Sequence, residues 1–198
     1  MSNKSKDLRA EDLPSLDVLE AELSRVKYKS KYGKVLRSTV YTLITVAAIA
    51  VLVATLWLPV LQVSGTAMSP TLAEGTIVVS YKTEDFKRGD VIAFYINNKI
   101  LIKRLIALPG DTVEIDNDGR VYVNGIMIEE SYVDEYAMGE TDIEMPFTVK
   151  KDTLFVMGDH RSVSVDSRNT AVGCIPVEDV VGKIFFKIWP FKEISPVS

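Results

Sequence analysis

A chain of 198 residues and 22.0 kDa has room for one globular domain of ordinary size. Its 47% hydrophobic and 25% charged content and net charge of −4 describe a folded protein rather than a disordered one. A single cysteine, Cys174, excludes a disulfide scaffold, and the lack of any repeat period excludes collagen or a coiled coil. The 36 residues from Ser38 to Ala73 contain no Asp, Glu, Lys or Arg, which excludes a simple soluble cytoplasmic domain.

In chain order, residues 10–32 predict an amphipathic or frayed helix, with Leu13, Leu16, Leu19 and Leu23 at near-helical spacing and no candidate chemistry. Thr39–Val63 then supplies the roughly 20 apolar residues that a membrane-crossing helix needs. Tyr41 and Trp57 stand near its two ends, where amphipathic aromatics favour the interfaces, and Pro59 marks its stop. The run exceeds the roughly 7–15 residues of a signal-peptide core and starts far from the N-terminus, so it reads as a retained anchor. Arg25, Lys27, Lys29, Lys31, Lys34 and Arg37 precede it with no acid between them, which predicts a cytoplasmic N-terminus. Residues 1–37 carry nine basic and six acidic side chains, and residues 38–198 fourteen and twenty-one. The basic edge therefore suits anionic lipid, and the acidic exterior speaks against nucleic acid. The expected organisation is a cytoplasmic segment (1–37), a transmembrane helix (38–60) and an extracytoplasmic domain (61–198).

Beyond Val63 the pattern shortens to strands. Thr76–Tyr81, Val91–Ile96, Ile100–Ala107, Thr153–Met157 and Val180–Trp189 are rich in β-branched and aromatic residues. Asp116-Asn117-Asp118-Gly119 and Asn124-Gly125 are hairpin turns separating TVEI, RVYV and IMI. The outer domain is thus mainly β, with a β-hairpin and loop insertion at 113–151 whose acidic stretch, Glu129–Glu144, reads as loop.

One histidine and one cysteine leave no zinc-ligand set, and no metal or cofactor is expected. Cys174, in AVGCIPV, reads as a small buried hydrophobe, and His160, in GDHRS, as a polar loop residue. Strand alternation puts Lys103 on the face of Leu101 and Leu105, where loss of water would lower its pKa and make it a general base. Taken alone, that segment favours an edge-strand lysine whose stem covers apolar surface.

The block SGTAMSPTL (64–72), directly after the anchor, changes that balance. With RGDVIAFY (88–95), IKRLIALPGD (102–111) and GDHRSVSVDSR (158–168), it resembles type I signal peptidase, also called leader peptidase, in its Gram-positive form. Four blocks in order, with the anchor, cover nearly all of residues 36–190. The resemblance implies a plasma-membrane, single-pass serine endopeptidase with a β-sheet or β-barrel-like catalytic domain, cutting signal peptides from secreted preproteins by a Ser/Lys dyad. It implies that Lys103 is the general base and that Ser164 positions it. Asp166 and Arg168 match a bracing ion pair, and Asp159 and Arg161 belong to the same loop. Met68, Pro70, Thr71 and Leu72 match residues that shape the turn around the nucleophile, and Trp189 matches a tryptophan near the membrane-facing surface. Substrate would bind as an extended strand between residues 62–66 and 100–103, with Val63, Gly65, Ile100 and Ile102 as candidate contacts.

The departure is at the nucleophile, where the family has serine and this chain has Ala67. A methyl group cannot attack a carbonyl, so the chain as written is expected to be inactive. By strand parity Ser64 and Thr66 face away from position 67, and Ser69 lies before a proline, so none is expected to substitute. An introduced Ser→Ala change accounts for a site whose Lys103, Ser164, Asp166 and Arg168 all remain. The alternative is a natural non-catalytic accessory protein that binds preproteins or pilins.

Overall fold

The computed structural model describes residues 15–197 and comprises one long helix and two β-sheets. By contacts the chain divides into two units, one up to Leu52 and one from Val53 onward. The helix α1 (Leu16–Trp57) is continuous for 42 residues, about 63 Å at 1.5 Å per residue. The sequence predicts a lead-in helix and a separate apolar span. The two are instead one element, because no proline falls between Leu16 and Trp57 and a lone Gly33 costs a helix only about 1 kcal/mol. Leu13 and the other residues expected to begin the lead-in lie outside the described residues. The apolar stretch is long enough to cross a membrane, and its side chains are exposed. The last helical bond runs from Leu58 N to Ala54 O. Pro59, which has no N–H, ends the helix, so residues 60–63 are extended rather than helical.

The main sheet is built from β1 (Val60–Gln62), β2 (Ile77–Tyr81), β3 (Val91–Ile96), β4 (Lys99–Ala107), β9 (Thr153–Met157), β10 (Ile175–Pro176), β11 (Val180–Trp189) and β12 (Ser195–Pro196). Its order is β1-β2-β11-β3-β4-β9-β10, with β12 also on β11. The pairs within it are antiparallel. Pro59 O accepts from both Ser80 N (2.9 Å) and Ser80 Oγ (3.1 Å), which pins the start of β1 to the end of β2. Asn97 and Asn98, both with positive φ (43° and 65°), make the two-residue hairpin that sets the β3–β4 register. That register puts Ile92 opposite Lys103 and Val91 opposite Arg104.

The second sheet, order β7-β6-β5-β8, contains β5 (Thr112–Ile115), β6 (Val121–Val123), β7 (Ile126–Met127) and β8 (Phe147–Thr148). It closes a core with β4 and β9: Val113, Ile115, Val121 and Val123 cluster with Ile106, Ala107, Phe155 and Met157. Two further clusters flank the main sheet, one around Val63, Met68, Leu72, Val78 and Ile184, the other around Ile92, Phe94, Leu105 and Val156. Leu101 and Leu105 share the second of these while Ile102 joins the first, as strand alternation requires.

Candidate active site

The loop after β1 carries residue 67. Val63 N and O bond Thr76 O (2.8 Å) and Gly75 N (2.9 Å), so the loop leaves and re-enters the sheet at one place. Within it the chain turns: Ser69 N donates to Thr66 O (3.0 Å) and Leu72 N to Met68 O (2.8 Å). Met68 (2% exposed) and Leu72 (0%) anchor the turn in the core. Gly65, at φ 79°, supplies a backbone conformation that other residues resist. Residues 64–72 are therefore not a strand, and the parity argument about Ser64 and Thr66 does not apply. Ser64 lines the same groove as Ala67; the exposed Thr66 does not. Ser69 opens with Pro70 and His160 onto a different depression.

Lys103, only 4% exposed, points its ammonium at Ser164, with Nζ donating to Oγ at 2.6 Å. Burial pushes its pKa below the usual lysine value; Asp166 and Asp159 pull it back up, and Arg168 pushes it down. Ser164 belongs to the loop that leaves β9 at Gly158. That loop is held by Ser167, whose hydroxyl accepts from Val156 N (2.9 Å) and donates to Gly173 O (2.7 Å). Gly158 is where three parts of the site meet. A Cβ added there would overlap the Ser164 side chain and the carbonyl of Ala67. His160 N donates to that same carbonyl (3.1 Å), and Ser164 N to His160 O (3.0 Å).

Three fully buried arginines brace this arrangement. Arg168 binds Asp166 through Nε (2.8 Å) and Nη2 (2.9 Å) and also reaches the carbonyls of Arg161 and Ser164. Burial alone would raise the Asp166 pKa. The bonds from Arg168, the Gly158 N–H (2.9 Å) and Ser164 hold it below the ordinary value instead. Arg104 grips Asp159 with Nε (2.9 Å) and Nη2 (2.8 Å), and Thr71 donates to the same carboxylate (2.5 Å). Arg161 pairs with Glu130, both fully buried, and its Nε donates to Gly158 O (3.0 Å). Asp159 and Arg161, expected in the same loop, thus serve two different pairs. Sequence reasoning missed Arg104, Glu130 and Tyr132, whose ring lies 3.8 Å from the Arg104 guanidinium.

A groove of about 470 Å³ runs between residues 61–65 and residues 99–103, with Ala67, Met68 and Lys103 also in its lining. Val63, Gly65, Ile100 and Ile102 all face it. Its walls are largely apolar, with β4 along one side and the end of β1 and the loop after it along the other, and an extended chain can add along such a strand. Elsewhere, Cys174 is half-buried against the second-sheet core, where burial raises its thiol pKa. His160 is half-buried too, and its Nδ1 has no hydrogen-bond partner among the described residues. Trp189, half-exposed, lies edge-on to Phe191, 4.7 Å between centroids. Among the described residues no His, Cys, Asp and Glu cluster is arranged to hold a metal.

The chain is similar in sequence to proteins already known. The family described as signal peptidase, peptidase S26, matches residues 36–189. Signal peptidase IB of Staphylococcus aureus (strain COL) is 37% identical over 153 residues, covering 67% of this chain and 78% of the relative. Signal peptidase I of Bacillus caldolyticus is 36% identical over 149 residues, covering 67% and 80%. A crystal structure of a signal peptidase I from Enterococcus faecalis V583, 31% identical, covers 50% of this chain and 96% of its own, with a TM-score of 0.42. The matched span takes in the groove, Lys103 and the whole Gly158–Arg168 loop, and on that ground the chain belongs to the signal peptidase family, peptidase S26.

Proposed function

We propose that this is the framework of a membrane-anchored serine endopeptidase that removes signal peptides from secretory preproteins, with its nucleophile position occupied by Ala67. The observation that carries the reading is Lys103: buried, lowered in pKa, bonded to Ser164 and opening on the groove that also holds residue 67. The apolar half of α1 is the anchor, with residues 1–37 cytoplasmic against anionic lipid and residues 61–198 outside.

With serine at position 67, neutral Lys103 accepts the hydroxyl proton as the oxygen attacks the carbonyl of the signal peptide's last residue. One Lys103 N–H stays on Ser164, which directs the amine's lone pair. Lys103 then protonates the leaving amine and activates the water that hydrolyses the acyl-enzyme. The backbone N–H of residue 67 supplies one oxyanion donor. Gly65 provides no side-chain donor, and a second donor comes from a water, a backbone group or Ser64, which lines the groove. Substrate adds as a strand between residues 61–65 and β4, against Val63, Ile100 and Ile102.

The test is cleavage of a purified preprotein in detergent. The chain as it stands is expected to bind without cutting, Ala67→Ser to release a mature product after a small residue, and Ala67→Ser with Lys103→Ala to lose that activity. Robust cutting by the double variant sinks the dyad assignment. Binding without cutting by Ala67→Ser favours a non-catalytic accessory.

A further inference from the structure

The connection from β7 to β8 belongs to the second sheet, yet two of its side chains reach the site. Glu130, 2% exposed, binds the Arg161 guanidinium through both carboxylate oxygens. Tyr132 donates its O–H to Glu130 Oε1 (2.9 Å) while its ring covers the Arg104 guanidinium at 3.8 Å. The two arginines lead to the two halves of the dyad's support. Arg104 follows Lys103 directly in β4. Arg161 holds the Gly158 carbonyl (3.0 Å), and Gly158 abuts both the Ser164 side chain and the carbonyl of residue 67. The same connection meets the loop at further points. Arg168 Nη1 donates to Met138 O (2.7 Å), and Asp142 accepts from Thr170 N and Oγ1 (2.7 Å each).

Removing a carboxylate and a guanidinium from water together contributes little net stability over an apolar pair of the same shape. Such a pair can instead hold geometry, and here it joins the neighbours of Ser164 and Lys103. Resting on the reading of Lys103 as general base, we propose that Glu130 and Tyr132 are positioning residues. They form a clamp from the second sheet that holds Arg161 and Arg104, and through them the lysine and its serine. The insertion is then part of the catalytic apparatus, although neither residue touches substrate.

The experiment uses the full-length Ala67→Ser chain in detergent, with Glu130→Gln, Tyr132→Phe or Tyr132→Leu added. We expect kcat per folded molecule to fall about tenfold or more, since small misplacements of reacting groups cost rate steeply. KM should stay within about twofold, because the residues lining the groove are unchanged. As the clamp loosens, water reaches Lys103, whose charged neighbours are Asp166, Arg168 and Asp159. The acid limb of the pH–rate profile should then move upward by about half a unit or more. A purely structural role would scale the whole profile with the folded fraction and leave the limb in place. That result, or an unchanged kcat per folded molecule, overturns the proposal. Tyr132→Phe, which removes only the bond to Glu130, keeps the test alive if Glu130→Gln does not fold. If Ala67→Ser itself fails to cut, the functional reading falls. The clamp is then tested without turnover, by competitive labelling of the Lys103 amine with an amine-directed reagent across pH. Identical titrations in the chain as it stands, in Glu130→Gln and in Tyr132→Leu would overturn it.

Discussion

Lys103 decides the pH behaviour. In the serine form, kcat/KM should rise with pH through the lysine's own titration, on a limb lying below the ordinary lysine range because burial disfavours the ammonium. The same shift acts on stability. Below its unfolded value near 10.5, the unfolded chain holds a proton on Lys103 that the folded chain gives up earlier, so folding stability rises with pH across that interval. Lys103→Met should flatten this rise in urea unfolding followed from neutral pH to pH 10; an unaltered slope would show that the amine is not desolvated. Asp166 acts in the same sense in the acid range. Its folded pKa lies below 3.8, so its contribution is complete above that value and is lost as pH falls through the lower, folded one. Ser164→Ala in the serine form should reduce kcat about tenfold to hundredfold, and the lysine's acid limb should move with it.

Among the elements, the loop from Gly158 to Arg168 carries the most consequences per residue. Gly158→Ala puts a methyl group into the Ser164 side chain and the carbonyl of residue 67. Overpacking of that kind costs about 1–3 kcal/mol. We expect a lower midpoint in thermal or urea unfolding and, in the serine form, a loss of kcat beyond the loss of folded protein. Gly158 was readable as part of a motif, but its reason for being glycine was not, since the contact is with residues 67 and 164. Strands with local signals were legible in the same way: Val91–Ile96, Thr153–Met157 and Val180–Trp189 stand where their runs of β-branched and aromatic residues predict them. Two-residue strands such as Phe147–Thr148 and Ser195–Pro196 were not, because only their partners define them. Glu130 shows the limit most clearly. Within an acidic stretch that reads as solvated loop, nothing local distinguishes the one carboxylate that meets a buried arginine 31 residues on. Ser64 erred in the opposite direction, because assuming a strand turned it away from a groove that it lines.

At the scale of the whole molecule, the charge divides with the chain: residues 1–37 carry a net positive charge and residues 38–198 a net negative one. The basic run from Arg25 to Arg37, which contains no acid, favours the proposed topology under the positive-inside bias. It can be checked in intact cells with a membrane-impermeant thiol reagent after Cys174→Ser removes the native thiol. Asp118→Cys, in an exposed hairpin turn, should label from outside, and Glu20→Cys only after permeabilisation. The reverse pattern would overturn the topology.

The site's bonds also join residues far apart in the chain: 55 positions from Arg104 to Asp159, 61 from Lys103 to Ser164 and 88 from Thr71 to Asp159. Contacts of that span close late and slowly, because chain entropy must be lost before they form. A partly folded copy therefore holds Lys103 still hydrated and still protonated, with no oriented partner. In the serine form, competence to cut arrives only with the completed fold.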